Sequence, residues 1–185
     1  MKTEHQFAET LKKMMANTPL DEISVTSLSK KIGVSRKTFY YHFHDVYDLL
    51  TLVFLDEKVT DNSSWISSSK DLIFVIYNYY VKNALFIDAA INSAGKDLFE
   101  EFIFNFCYQV ILNNFLSRIP ETKNISLNDK KNIARYYSFG YSNSLVYYLS
   151  THKTKSLEGM KSCFAFITDQ SFKDSVNALI NKGKK

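Results

Sequence analysis

Turn-forming residues are scarce in this chain, with five glycines and two prolines among 185 residues. A sandwich or barrel needs a turn signal every ~8–12 residues, so the scarcity argues against both and predicts an all-α fold of long helices. Cysteine is nearly absent too. Cys107 and Cys163 sit in the apolar contexts Phe106-Cys107-Tyr108 and Ser162-Cys163-Phe164, where a thiol serves as a small core residue. His5, His42, His44 and His152 are scattered, and no CxxC or HxxxH spacing occurs, so neither a metal nor a cofactor is expected. Paired carboxylates, a glycine-rich phosphate loop and a nucleophile elbow are all missing, which argues against an enzyme. No apolar run approaches the ~18 residues of a membrane span, and the first residues lack the order of a signal peptide; a cytoplasmic protein is expected.

What is present is ordinary in bulk and unusual in one place. Hydrophobic residues make up 45% of the chain and the formal net charge is only +4. Between Ile23 and His44, however, stand four cations, Lys30, Lys31, Arg36 and Lys37, and no acid. A phosphate-binding surface needs such a patch, because each neutralised phosphate releases condensed counterions. On charge alone, a solvated helical hairpin fits equally well.

The pattern within that stretch is more telling. Residues 25–50 read VTSLSKKIGVSRKTFYYHFHDVYDLL, a short helix, a glycine turn and a second helix. Thr26 is placed to cap the first helix, and Leu28, Ile32 and Val34 offer apolar positions for packing. Gly33 marks the turn, where a residue without a Cβ takes positive φ freely. Ser35 is the expected N-cap of the second helix. Phe39 and Phe43, four apart, then share an inward face, which leaves Arg36, Lys37, Thr38, Tyr40, Tyr41 and His42 pointing outward. This is the outline of a DNA-reading helix-turn-helix.

The runs Ser24-Val25-Thr26, Gly33-Val34-Ser35, Thr38-Phe39-Tyr40-Tyr41-His42-Phe43 and Asp48-Leu49-Leu50 resemble the DNA-binding domain of the TetR family of transcriptional regulators, over roughly residues 5–55. The C-terminal two thirds resemble only the general layout of that family. The resemblance implies base reading by Arg36, Lys37, Thr38 and Tyr40, and phosphate positioning by Thr26, Ser35, Tyr41 and His42. It also implies a helix-turn-helix domain over 1–47 and a helical regulatory and dimerisation domain over 48–185. One position departs from the pattern. Val46 stands where the family commonly has a lysine near a DNA phosphate, leaving the backbone N–H groups of that helix start, or a protonated His44, to substitute.

Nine helices are expected. The first, 3–17, carries Phe7, Leu11 and Met14; the two of the motif follow; the fourth spans 45–60 with Leu49, Leu52, Val53 and Leu55 apolar. The segment 60–69, with its lone Trp65, reads as a junction between domains. Residues 72–81 are apolar nearly all round, as in a helix buried on every side, with a buried strand the competing reading. A short helix over 84–92, a long one over 96–117, another over 126–151 capped by Ser126 and Asp129, and a last one over 156–180 complete the count. Gly140 in mid-helix suggests a close approach by another backbone, and residues 182–185 read as a disordered tail.

A single reading head distinguishes few base pairs, so two are expected to act together on a palindrome, half-sites about 34–36 Å apart or a multiple of it. The family layout places the homodimer contact in the last two helices. Fifteen Phe and twelve Tyr residues either form plain core or wall a pocket for a small apolar or aromatic effector, with Phe74, Tyr77, Phe102, Phe106, Tyr137 and Tyr141 as its candidate lining. The functional expectation is a ligand-responsive dimeric repressor. Its alternative is an activator or co-regulator whose C-terminal domain docks a partner protein.

Overall fold

The computed structural model describes residues 2–182, which form nine α-helices with short π and 3-10 turns and no strand. The helices are α1 (Lys2–Met15), α2 (Val25–Ile32), α3 (Arg36–His42), α4 (Val46–Asp56), α5 (Ser69–Ile91), α6 (Lys96–Val110), α7 (Leu127–Thr151), α8 (Leu157–Cys163) and α9 (Asp169–Lys182). They gather into two compact units, Met1–Lys58 with Tyr80–Phe102, and Val59–Tyr79 with Ile103–Lys185. No helix among the described residues is long and apolar enough to cross a membrane.

In the first unit, Phe7 of α1 is the keystone. Its ring meets Phe39 edge-on at 5.2 Å and Phe43 at 5.9 Å, and all three are buried. Such edge-to-face pairs contribute about 0.5–1.5 kcal/mol beyond their burial. Leu11 and Met15 extend the stripe from Phe7 at spacings of four, so Met15, rather than Met14, takes the fully buried place. Leu49, Leu50, Val53 and Phe54 of α4 are buried, while Leu55 points outward. α4 stops at Asp56, short of Thr60, because Glu57 turns extended. Phe54 then meets Phe86 at 5.4 Å and Phe102 at 5.6 Å, and the ammonium of Lys12, paired with Glu57, lies 5.2 Å over the Phe86 ring.

The second unit departs from the sequence reading in three ways. The expected terminal helix over 156–180 is two helices, α8 and α9, separated by a turn in which Phe164 caps α8 and Ile167 N–H returns to the Phe164 carbonyl. Thr168 and Ser171 then brace the start of α9, Thr168 N–H donating to the Ser171 hydroxyl at 3.1 Å. The expected helix over 96–117 changes at residue 111 into a π turn, Ile111–Phe115, and then a 3-10 turn. Among the described residues no other backbone comes within 4 Å of where a Gly140 Cβ would stand; the Ile167 side chain would lie 3.5 Å away, ordinary contact. The capping box of α7 is as read, with Ser126 and Asp129 each accepting the other's backbone N–H. Lys182 closes α9, and the rest of the expected tail lies outside the described residues.

α5 corrects two further expectations. Residues 72–81 are helical, but the helix continues through the separately expected segment to Ile91, with Asn83 (φ −124°, ψ 19°) as a kink. Nor is it buried all round. Leu72, Ile73 and Ile76 face a core, whereas Phe74 and Val81 are exposed by 46% and 53%.

Candidate nucleic-acid interface

Ser24, rather than Thr26, caps α2. The Ser24 hydroxyl accepts the Ser27 N–H at 3.1 Å while the Ser27 hydroxyl accepts the Ser24 N–H, also at 3.1 Å. The box requires partners three apart, and a serine stands at both places. Thr26 is thereby left on the exposed side of the first turn. At the other end, Gly33 takes φ 79°, ψ 31°, and both Gly33 and Val34 return their N–H groups to the Ser29 carbonyl at 3.0 Å. This left-handed cap sends the chain directly into α3.

Ser35 caps α3 as read, accepting the Thr38 N–H at 3.1 Å, and the two hydroxyls bond each other at 2.9 Å. Ser35 and Thr38 are therefore engaged locally. With Phe39 and Phe43 turned inward, the outward side carries exposed Arg36 and Lys37, Tyr40 at 52% exposure and Tyr41 at 83%. The Arg36 guanidinium lies 6.0 Å from the Tyr40 ring centroid, the outer limit of a cation–π contact. His42 is less free than the sequence suggested. Its Nδ1 lies 3.1 Å from Glu4 of α1, and its side chain is only 18% exposed.

The start of α4 bears on the missing lysine. Val46 is half-buried, and Asp45 caps the helix by accepting the Asp48 N–H at 2.8 Å. Asp48 in turn accepts the His44 N–H at 3.0 Å. Two carboxylates already occupy donors there, so a phosphate meets competition at that terminus. A shallow groove of about 240 Å³ runs beside it, with Tyr40 and Tyr47 in its wall. The Tyr47 hydroxyl donates to Asp21 at 2.6 Å, and that hydrogen bond, with burial and the charges of Asp21 and Asp45, pushes the phenol above its ordinary pKa.

The six candidate effector residues are divided between the two units. Phe102 belongs to the first unit, beside Phe54 and Phe99. In the second, Phe74 is exposed, Tyr77 and Phe106 are half-buried, and Tyr141 is fully buried against Phe164 at 5.0 Å. Tyr137 reaches Ser175 and the Ser171 carbonyl, each at 2.8 Å. It also lines an open groove of about 540 Å³ with Tyr136, Phe139, Asn143 and Phe166. The sequence reading missed these exposed aromatics. Their signal was the helical spacing of Tyr136, Phe139, Asn143 and Tyr147 along one side of α7.

Comparison with known proteins places this geometry in a family. No curated protein matches the chain. Among solved structures it is similar to one described as the dihydroxyacetone kinase operon activator DhaS, at 20% identity and a TM-score of 0.53, over 97% of this chain and 95% of that one, a likeness of fold. A family model for a transcriptional regulator C-terminal region, of TetR type, matches residues 67–170. Because that match spans more than half of the chain, the protein belongs to the TetR family of transcriptional regulators.

Proposed function

We propose that the protein is a DNA-binding repressor that acts as a homodimer on a palindromic operator and yields to a small apolar or aromatic effector. Residues 1–47 are the reading head, and 48–185 the regulatory and dimerisation part. One observation carries the reading. The side of α3 opposite Phe39 presents Arg36, Lys37, Tyr40 and Tyr41 to solvent from a stretch without acids. Arg36 and Lys37 suit the acceptor edge of guanine, and Tyr41 with Thr26 suits backbone phosphates.

Support for the pairing comes from α7. From Tyr136 to Thr151 it holds no charged residue, and Tyr136, Phe139 and Tyr147 are more than half exposed, the first two sharing the groove with Phe166. A second copy of this uncharged, aromatic face is the occupant it fits best. Support for an effector is the Tyr141 hydroxyl, buried with no well-formed hydrogen bond among the described residues, the Ser69 hydroxyl near it being committed to Asp169. An effector weakens operator binding only as far as it prefers one spacing of the two heads, typically about 1–3 kcal/mol.

The activator reading draws on the similar solved structure, which is described as an operon activator. Selection of duplexes from a random pool, followed by titration of wild type, Arg36→Ala and Tyr41→Ala, tests the DNA-binding core. Expected are a palindromic consensus and a loss of about 1–3 kcal/mol of affinity with Arg36→Ala, with relaxed preference at one position. Tyr41→Ala should weaken all sequences alike. A reporter placed behind the selected site gives the sign of regulation. Absence of any selected sequence would overturn the reading.

A further inference from the structure

We infer that Glu4 is a positioning residue for DNA binding: its carboxylate holds the His42 ring so that the outward nitrogen meets a backbone phosphate as part of an imidazolium, which makes operator binding take up protons. This rests on the DNA-binding reading above.

His42 is the last residue of α3, and Nδ1 lies 3.1 Å from Oε1 of Glu4, thirty-eight positions earlier in the chain. A carboxylate only accepts, so Nδ1 carries the proton of that bond and the ring's tautomer is set. The Tyr41 ring, nearly perpendicular at 5.0 Å, and the tilted Phe43 ring at 6.0 Å flank the imidazole and limit its rotation. With Nδ1 protonated, Nε2 of a neutral ring is an acceptor. A phosphate oxygen is an acceptor too, so the two repel until Nε2 gains a proton from solvent. The ring then donates on both sides, to Glu4 and to the phosphate, through charge-assisted hydrogen bonds.

Glu4 faces the N-terminal amino group first and His42 second, and both hold its carboxyl below the ordinary range. On α1, His5 is turned to Asp56, 3.5 Å away. At the start of α4, Asp45 is spent on the Asp48 N–H and Asp48 on the His44 N–H. Within α3 itself, Tyr41 contributes a ring at 5.0 Å, and Arg36 and Lys37 belong to the opposite end of the helix. Nor does the lysine common in the family supply a phosphate contact here, since Val46 replaces it. One proton is taken up per head, and no other bond changes.

The test uses the full-length protein and a fluorescent duplex selected from a random pool, titrated from about pH 6 to pH 8.5 at fixed ionic strength. Wild-type affinity is expected to rise as pH falls, by up to about tenfold per pH unit for each head. His42→Gln should flatten that rise and, near the acid end, reduce the salt slope by about one per head. Glu4→Gln keeps the size and an acceptor but loses the charge; it should weaken binding several-fold at neutral pH and move the rise to lower pH. Thermal melts confirm folding of both variants, and Glu4→Ala, expected to match Glu4→Gln in pH profile, guards against one variant misfolding. A Glu4→Gln profile superimposable on wild type, with binding retained, overturns this inference alone. Failure to select any duplex overturns the DNA-binding reading and this inference with it.

Discussion

Asp169 accepts two hydrogen bonds from Ser69, one from its backbone N–H and one from its hydroxyl, each at 2.8 Å and across a hundred positions of sequence. The contact joins the first residue of α5 to the first of α9, and Ser69 is buried. Asp169→Ala would leave two donors of a buried residue without a protein partner, at about 1–3 kcal/mol for an unsatisfied group. We expect a loss near ~2 kcal/mol in urea unfolding, with Asp169→Asn losing about half as much because one acceptor survives. Equal stability of wild type and Asp169→Ala would show that water replaces the carboxylate at no cost.

Gly33 holds the turn through its torsion alone. At φ 79° an added Cβ would meet no atom within 4 Å, so only backbone strain opposes a side chain. Gly33→Ala is therefore expected to lower stability by about 1 kcal/mol, and Gly33→Asn by less, since asparagine tolerates the left-handed region. Circular-dichroism melts should give the order wild type, Asn, Ala. A larger loss for Ala would mean that α2 and α3 repack around the turn.

These two sites differ in how legible they are. The Gly33 turn, the Ser35 cap and the inward pair Phe39 and Phe43 were all readable, because each depends on partners within a turn or two of sequence. The Ser69–Asp169 and Glu4–His42 contacts were not, since nothing local marks a partner that tertiary folding supplies. Thr26 and Ser24 compete for the same cap, and the winner depends on Ser27 also being able to reach back. The break between α8 and α9 was hidden for a different reason. Met160, Phe164 and Ile167 keep a helical spacing straight through a turn, so the apolar period continues where the helix does not. Exposure was the hardest property to read, as Phe74, Val81, Phe139 and Tyr147 look like core residues in sequence and face solvent in this chain.

Tyr141 offers a test of whether its hydroxyl is retained for function. The side chain is fully buried, its hydroxyl makes no well-formed hydrogen bond among the described residues although Ser69 lies near it, and burial pushes its ionisation far above the ordinary phenol range. Removing an unsatisfied buried hydroxyl while keeping the ring should be neutral or stabilising, by up to about 1 kcal/mol. Tyr141→Phe is thus expected to melt at or above the wild-type temperature and to bind operator normally. If its operator complex also ceases to respond to effectors that release wild type, the hydroxyl belongs to the effector site. A destabilised Tyr141→Phe would instead mean that the hydroxyl is satisfied in solution, by bound water or by movement of a neighbour.

The face of α7 makes the strongest demand on the dimer. Tyr147 and Phe166 are 67% and 72% exposed, so replacing either removes little packing within the chain. In a two-fold contact each substitution occurs twice, and a buried carboxylate without a partner is costly at the centre of an interface. Tyr147→Glu and Phe166→Glu are expected to keep the wild-type melting temperature at dilutions where wild type is already monomeric. Both should shift the sedimentation profile toward monomer at concentrations where wild type is paired, by about tenfold or more in dissociation constant. Operator binding would then lose the steepness that two linked heads provide, while weak binding of single heads persists. If both variants sediment like wild type, the aromatic face of α7 is not the seam between copies, and pairing must use another surface.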